Sequence, residues 1–173
     1  MNKTKLLVLL TVFIDVIGIG IIIPVLPFYV EGFGASAFIV TALFAVYSFC
    51  SLLSAPVIGV LSDKYGRRPM LIASILSTSL GWFVFAAAPN LLFLFIGRVI
   101  DGLAAGNLPI AQSYFSDLAK DEKERTHNMG LIGMIFGVAF IIGPFLGGTL
   151  GSISHSFPFW FAGGLALFNA ILA

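Results

Sequence analysis

The chain has 173 residues, of which 59% are hydrophobic and only 10% are charged. Soluble globular proteins are about 25% charged, so this composition excludes a soluble domain and predicts a membrane protein. The formal net charge of +1 predicts no nucleic-acid partner, and the single cysteine excludes a disulfide within the chain.

Six apolar segments follow one another, and each is predicted to be helical because lipid offers no partner for an unpaired backbone group. The predicted spans cover about residues 6–30, 37–61, 70–88, 91–115, 128–151 and 157–173. The last segment reaches only roughly 25 Å, short of a hydrocarbon core of about 30 Å. A short or tilted helix is one interpretation. We prefer a single transmembrane domain, 1–173, that is the N-terminal part of a longer polypeptide with its last helix cut short.

Lysine and arginine lie on one side of these spans. Eight cations fall in the N-terminal tail and in the polar connections 62–69 and 116–127, whereas the opposite connections hold none. The positive-inside rule therefore predicts a multi-pass protein of the cytoplasmic (inner) membrane with a cytoplasmic N-terminus. The eight cations are Lys3, Lys5, Lys64, Arg67, Arg68, Lys120, Lys123 and Arg125.

The first span contains Asp15, about 13 Å from its cytoplasmic end. A carboxylate at this depth is costly and is tolerated where it faces a bundle interior or a water-filled cavity, pairs with a cation, or exchanges protons. The sequence leaves open a static ion pair, but we favour a role in proton or substrate binding.

The fourth span contains Arg98 and Asp101, about 10 and 15 Å from its outer end and on one helix face. Both lie at nearly the depth of Asp15, so Arg98 is predicted to pair with Asp15 or with Asp101. Two alternatives remain, in which Arg98 snorkels to the outer interface or Asp101 is a purely structural partner of Arg98.

Candidate substrate contacts are chosen by residue type and depth on the first, second and fourth spans, and they are Phe13, Tyr47, Asn107 and Gln112. The sequence has no G-x-x-x-x-G-K-[ST], H-E-x-x-H or G-x-S-x-G motif. An enzyme, a metal site or a cofactor is therefore not expected. Any pumping would draw on an ion gradient or on an ATPase partner.

Glycines recur along the fifth span, and small residues let helices approach closely in lipid, while Gly-Pro adds a bend. We expect this face to pack against a partner, which leaves Gly130, Gly137 and Gly143 exposed to lipid in the chain alone. A weak internal repeat relates Asp15 to Asp101 and Pro24 to Pro109 at an offset near 86 residues. Three helices per unit would make this an inverted repeat.

Four motifs in chain order resemble those of the major facilitator superfamily. Gly59–Pro69 (GVLSDKYGRRP) resembles its loop signature between the second and third helices, and Gly97–Gly102 (GRVIDG) resembles its fourth-helix arginine motif. Gly137–Gly148 resembles the antiporter motif of its drug:proton exchangers. The string DVIGIGIIIPVLP, from Asp15, resembles the first helix of tetracycline efflux proteins of the TetA type and related multidrug exporters.

This resemblance implies an all-α membrane protein, a six-transmembrane-helix bundle that is the N-terminal half of a twelve-helix fold. It implies that Asp63, Arg67 and Arg68 form a charge latch at the cytoplasmic mouth, with Gly59 and Gly66 permitting close approach. For the loop, a plain positive-inside anchor is the alternative.

The resemblance also implies that Arg98 couples to Asp15 in proton transfer. Asp101 is an acid where many relatives have a small or polar residue, so it joins Asp15 as a candidate for titration. Gly143 and Pro144 would bend the fifth helix along the domain interface. The other antiporter-motif residues are Gly137, Gly147 and Gly148.

The implied function is proton-coupled efflux of small amphipathic compounds, of tetracycline or multidrug type, by alternating access. The expected partners are protons, the substrate, the lipid bilayer and a C-terminal half of the same transporter. Alternatives are a solute uptake facilitator of the same superfamily, a non-transporting six-helix membrane protein and a homodimeric half-transporter.

Overall fold

The computed structural model describes residues 3–173, with side chains from Lys5 onward. The first two residues of the predicted domain and the side chain of Lys3, which the orientation argument counts, lie outside this description. Within the described residues the chain forms seven helices that make up six spans. They are α1 (Lys3–Glu31), α2 (Ala37–Tyr65), α3 (Arg67–Ala86), α4 (Leu91–Leu103), α5 (Asn107–Asp117), α6 (Glu122–Gly151) and α7 (Phe157–Leu172).

The polar connections at the charged end are shorter than predicted. Gly66 alone separates α2 from α3, and its φ of 98° is a conformation that side-chain-bearing residues rarely adopt. At the start of α6 the Asp121 side chain accepts a hydrogen bond from the Glu124 N–H at 2.7 Å. At both places the helices continue past the apolar residues into the polar connections. Apolar length alone therefore predicted helices that end too early at this side of the bundle.

The fourth span is not the continuous helix predicted over 91–115. It breaks between α4 and α5, at residues 104–106. Pro109 has no N–H to donate, and in a continuous helix its ring would conflict with the carbonyl of Ala105. Residues Leu91–Asp117 together remain long and apolar enough to cross a membrane, but apolar length does not detect a break within such a span.

Serines from neighbouring spans satisfy the backbone around this break. Ser74 of α3 donates to the Ala104 carbonyl and accepts from the Gly106 N–H at 2.9 Å. Ser54 of α2 donates to the Gly102 carbonyl, and Ser77 of α3 donates to that of Ile100, each at 2.9 Å. Lipid supplies no such partners, so these hydroxyls make a broken span tolerable inside the bundle.

Three of the helix pairings follow the internal repeat. The first span packs on the fifth, the second on the fourth, and the third on the sixth. Exchanging the two three-helix units turns the first of these pairings into the second and leaves the third unchanged. A methyl group built on Gly143 would lie 2.6 Å from the Gly20 Cα, and one built on Gly106 would lie 2.5 Å from an Ile58 methyl. These contacts join equivalent positions near the offset of 86 residues, as two inverted three-helix repeats require.

An aromatic cluster packs the outer half of the bundle. The rings of Tyr29 and Phe159 have centroids 4.6 Å apart, and those of Phe85 and Phe159 are 4.9 Å apart. The Tyr29 hydroxyl donates to the carbonyls of Phe85 and Ala86 at the end of α3. This cluster ties the first, third and sixth spans together above the residues that surround the buried charges.

Candidate functional site

A cavity of about 300 Å³ lies between the first four spans and encloses all three intramembrane charges. Its polar wall consists of Asp15, Tyr47, Ser51, Thr78, Arg98, Asp101 and Asn107. The remaining wall is mostly apolar, with Ile19, Ile22, Ile23, Phe44, Trp82 and Leu108 among its residues. An apolar cavity with a few convergent polar groups is the usual form of a small-molecule site.

The guanidinium of Arg98 is buried in this wall, with 5% of the side chain exposed. Its Nη1 lies 3.7 Å from Asp101 Oδ2, and its Cζ lies 4.3 Å from the centroid of the Trp82 ring and 5.0 Å from that of Phe85. Aromatic faces attract a cation and offset part of its burial cost. Of the two predicted pairings, the structure therefore makes the one with Asp101, and it does not place Arg98 at the outer interface.

Two nitrogens of Arg98, Nε and Nη2, have no hydrogen-bond partner among the described residues. Leaving buried donors unpaired costs about 1–3 kcal/mol each, or more for a charged group. The side chain is thus held through Nη1 and by aromatic rings, while Nε and Nη2 keep unsatisfied donors inside the bundle.

Asp15 is partly exposed to the cavity and does not pair with Arg98 in this structure. Its Oδ1 accepts a hydrogen bond from the Asn107 amide nitrogen at 2.7 Å. That nitrogen also donates to the Thr78 hydroxyl at 3.1 Å. Asn107 is the first residue of α5, so the break in the fourth span positions the side chain that holds Asp15.

The substrate-contact predictions divide into two groups. Tyr47 and Asn107 line the cavity, whereas Phe13 packs against the apolar core. Gln112 is exposed in a groove at the charged end, beside Arg67 and Asp117. Phe13 and Gln112 do not line the cavity, because residue type and depth do not determine helix rotation or the break before α5.

Sequence reasoning missed Thr78 and Trp82 of the third span, which carries no charge in its apolar part. The one glycine of α3, Gly81, is the feature of the sequence that could have indicated where this helix touches the fourth span. A methyl group on Gly81 would lie 2.9 Å from the Asp101 Cβ, and one on Gly97 would lie 2.8 Å from the Gly81 carbonyl oxygen. This close crossing brings Thr78 and Trp82 beside Arg98 and Asp101.

At the charged end, Arg67 joins the loop signature to the fourth span. Its Nη1 lies 2.6 Å from Asp63 Oδ1 and donates to the Ser62 hydroxyl at 2.7 Å. Its Nε lies 3.0 Å from Asp117 Oδ2 at the end of α5. Asp117, which the sequence did not single out, is therefore the second carboxylate of this cluster.

The other predicted latch residues lie apart from the Arg67 cluster. Arg68 donates to the Ala173 carbonyl at 2.7 Å, so it faces α7 rather than Asp63. A methyl group on Gly59 would meet no heavy atom within 4 Å in the described chain. The close approach expected at Gly59 is thus not made within these spans, whereas Gly66 is required by its own backbone conformation.

The antiporter-motif glycines lie on two faces of α6. Gly143 and Gly147 lie against the backbone of α1, at Gly20 and Ile21, and Gly143 is therefore not exposed as we expected. Methyl groups on Gly137 and Gly148 would meet nothing within 4 Å of the described chain, and the same holds for Gly130. Helix α6 continues through Pro144 as one helix.

A bundle of apolar helices around a cavity with buried charges defines the class of membrane transport proteins rather than a soluble binding domain. Five of its helices are long and apolar enough to cross a membrane when α4 and α5 count as one, and α7 is a shorter apolar helix. The family model of the Major Facilitator Superfamily matches residues 8–173. The chain therefore belongs to this superfamily, and its fold is that of an N-terminal half.

Its relatives include proteins of antibiotic resistance. It is 42% identical to the class H tetracycline resistance protein of Pasteurella multocida, covering 94% of this chain and 41% of that one. It is 37% identical to the class C tetracycline resistance protein of Escherichia coli, and the match covers 99% of this chain and 44% of that one. It is 31% identical to the quinolone resistance protein NorA of Staphylococcus aureus, and the match covers 100% of this chain and 45% of that one. The chain thus spans less than half the length of these relatives.

A solved structure supports the fold independently. The human organic anion transporter MFSD10 (TETRAN) matches with a TM-score of 0.83 at 23% identity, covering 97% of this chain and 45% of that one.

Proposed function

We propose that this chain is one half of a proton-coupled exporter of small amphipathic compounds, of tetracycline or multidrug type. The observation that carries the proposal is the cavity that holds Asp15 beside the Arg98–Asp101 pair. Ionisable groups inside membrane spans are costly and typically mark substrate or proton pathways. The resistance proteins among the relatives favour export, and the tetracycline and quinolone in their names favour aromatic compounds.

The charges of the cavity suggest how proton and substrate are exchanged. With Asp15 and Asp101 ionised and Arg98 cationic, the wall carries one net negative charge. A proton on Asp15 removes that charge, so proton binding and the binding of a cationic group oppose one another. Phe44, Tyr47 and Trp82 offer aromatic surface to the apolar part of a substrate.

A C-terminal half is the proposed partner for the open face of α6. This face combines the glycines that touch no other helix with exposed large side chains, namely Met134, Ile141 and Phe145 at 60%, 76% and 71% exposure. In transporters with two such halves, substrate binds between them near the midplane and one half rocks against the other. We propose alternating access of this kind as the mechanism of export.

The proposal is tested by reconstituting these 173 residues alone and together with the C-terminal half. Alone, the chain is expected to insert but to be unstable or to self-associate, and to exchange no tetracycline or quinolone for protons across liposome membranes. The complete transporter is expected to do so in the same assay. Robust exchange by the purified fragment would contradict the half-transporter proposal and support a functional homodimer.

We propose that the charged end faces the cytoplasm, in the inner membrane, as the positive-inside rule requires. Single cysteines placed at Ser36 and Ser154, both exposed, are expected to react with an impermeant thiol reagent added outside. A cysteine at Lys123, exposed at the opposite end, is expected to react only after permeabilisation. The native Cys50 is buried and gives a low background. Labelling at Lys123 in intact cells would reverse the topology.

A further inference from the structure

Asn107 and Thr78 form a chain of polar side chains between the two carboxylates of the cavity. The Asn107 amide nitrogen has two hydrogens, and it donates one to Asp15 and the other to the Thr78 hydroxyl. Because that hydroxyl accepts from Asn107, its own hydrogen is free to donate, and the acceptor we assign to it is the Asp101 carboxylate, which lies in the same cavity wall. The Arg98 ion pair lies at the far end of this chain.

We propose that Asn107 and Thr78 are positioning residues that couple the protonation of Asp15 to the Arg98–Asp101 pair. The inference rests on the proposed proton-coupled function, and it assigns the two neutral side chains a task beyond lining the cavity. Both are buried, at 8% exposure each, and neither carries a charge that could act on Asp15 or Asp101 through space.

The direction of donation explains the coupling. A hydrogen bond to an ionised acceptor is roughly twice as strong as one between neutral groups. When Asp15 takes a proton from water in the cavity, its hold on the Asn107 amide weakens. The acid also gains an O–H donor, and Asn107 Oδ1, buried without a partner among residues 3–173, is free to turn toward it.

Either response alters the bond from Asn107 to Thr78. Since bonds in a chain polarise one another, the bond from Thr78 to Asp101 changes as well. The strength of the Asp101 contact with Arg98 then changes, and two nitrogens of Arg98 have no hydrogen-bond partner among the described residues. The effect of protonating Asp15 on the first span thus reaches Arg98 on the fourth span through these hydrogen bonds, while the proton itself stays on Asp15.

The break in the fourth span sets the position of this hydrogen-bond chain. Asn107 begins α5 directly after Gly106, whose N–H is held by Ser74. Other titratable groups that face Asp15 are few in the described structure. Tyr47 faces it from α2, and Arg98 and Asp101 face it from α4. The wall residues from α3 and α5 are neutral, and α6 and α7 contribute none.

The test is a titration of Asp15 by infrared difference spectroscopy in the complete transporter, reconstituted in liposomes. The acid band of Asp15 is identified by its loss in Asp15→Asn. In the otherwise unaltered protein, Asp101→Asn is expected to move the titration midpoint of Asp15 by about one pH unit, the scale of strongly interacting sites. In a Thr78→Val background, which lacks the hydroxyl, the same substitution is expected to move it by less than half as much.

Two further variants separate the hydroxyl from the fold. Thr78→Ser keeps a hydroxyl and is expected to retain the full shift, while Ser77→Ala removes a neighbouring interhelical hydrogen bond and is expected to leave the shift unchanged. An undiminished shift in Thr78→Val, or no shift in the unaltered protein, would overturn the coupling while leaving proton-driven export standing. If Asp15 showed no titration at all, the proton step of the proposed function would fail as well.

Discussion

Replacing Asp15 by asparagine is expected to abolish uphill drug efflux by the complete transporter. An amide is nearly the size of the carboxyl group but cannot take up and release a proton, so the energy of the proton gradient is no longer coupled to the substrate. One charge crossing 100 mV releases about 2.3 kcal/mol, which sustains a substrate ratio of about 50-fold when one proton is exchanged for one neutral substrate. In Asp15→Asn that ratio is expected to fall to one, measured as drug accumulated in inverted vesicles with an imposed gradient.

The loss of coupling is distinguished from the loss of the fold by measuring binding. Asn107 donates to Asp15 through one amide hydrogen, and an asparagine oxygen at position 15 can still accept it. Binding of a neutral substrate to Asp15→Asn is therefore expected to persist, and Asp15→Glu, which keeps an acid, is expected to retain part of the uphill transport. Wild-type accumulation in Asp15→Asn would assign the carboxylate a structural role and make Asp101 the next candidate.

Depth along the spans was readable from sequence because each helix advances by a fixed rise per residue. Counting from the predicted span ends placed Asp15, Arg98 and Asp101 at one level, and the structure encloses all three in one cavity. The superfamily was also readable, since its motifs are local strings. The family model, which matches residues 8–173, confirms that prediction.

What the sequence did not predict depends on contacts between spans. The rotation of each helix decides whether a side chain at the correct depth faces the cavity, and Phe13 does not face it. Pro24 and Pro109 are equivalent in the repeat, yet α1 is continuous and the fourth span breaks. Hydroxyl groups such as that of Ser74, on a span distant in sequence, satisfy the broken backbone. No local pattern around Pro109 contains that information.

The partner of Asp15 illustrates the same limit. Charge alone left Arg98 as a possible partner of Asp15 or of Asp101, and in the structure the cation pairs with Asp101 while an amide binds Asp15. An asparagine at this position is neutral, so its contribution depends entirely on where the break places it. Asp15 consequently remains free of a fixed cation, which suits a group that has to gain and lose a proton.

The second large effect is expected at the crossing of α1 and α6, where Gly147→Ala should destabilise the bundle. A methyl group there would overlap the Ile21 carbonyl group, and backbone atoms cannot move aside as a flexible side chain can. Forcing extra atoms into a close-packed contact typically costs about 1–3 kcal/mol. Thermal unfolding of the complete transporter in detergent, followed by the loss of its monodisperse chromatographic peak, is expected to occur at a lower temperature.

The next residue provides the matched control, because a methyl group on Gly148 would meet no atom within 4 Å of the described chain. In a helix interior, alanine is favoured over glycine by roughly 0.5–1 kcal/mol, so Gly148→Ala is expected to leave the unfolding temperature unchanged or raise it unless the C-terminal half packs closely there. The two neighbours should therefore shift stability in opposite directions if α6 touches α1 with only one of its glycine faces. Equal destabilisation by both would show that Gly148 is also a contact, made with the other half. Equal tolerance would contradict the backbone contact at Ile21, on which the packing of the first span against the fifth depends.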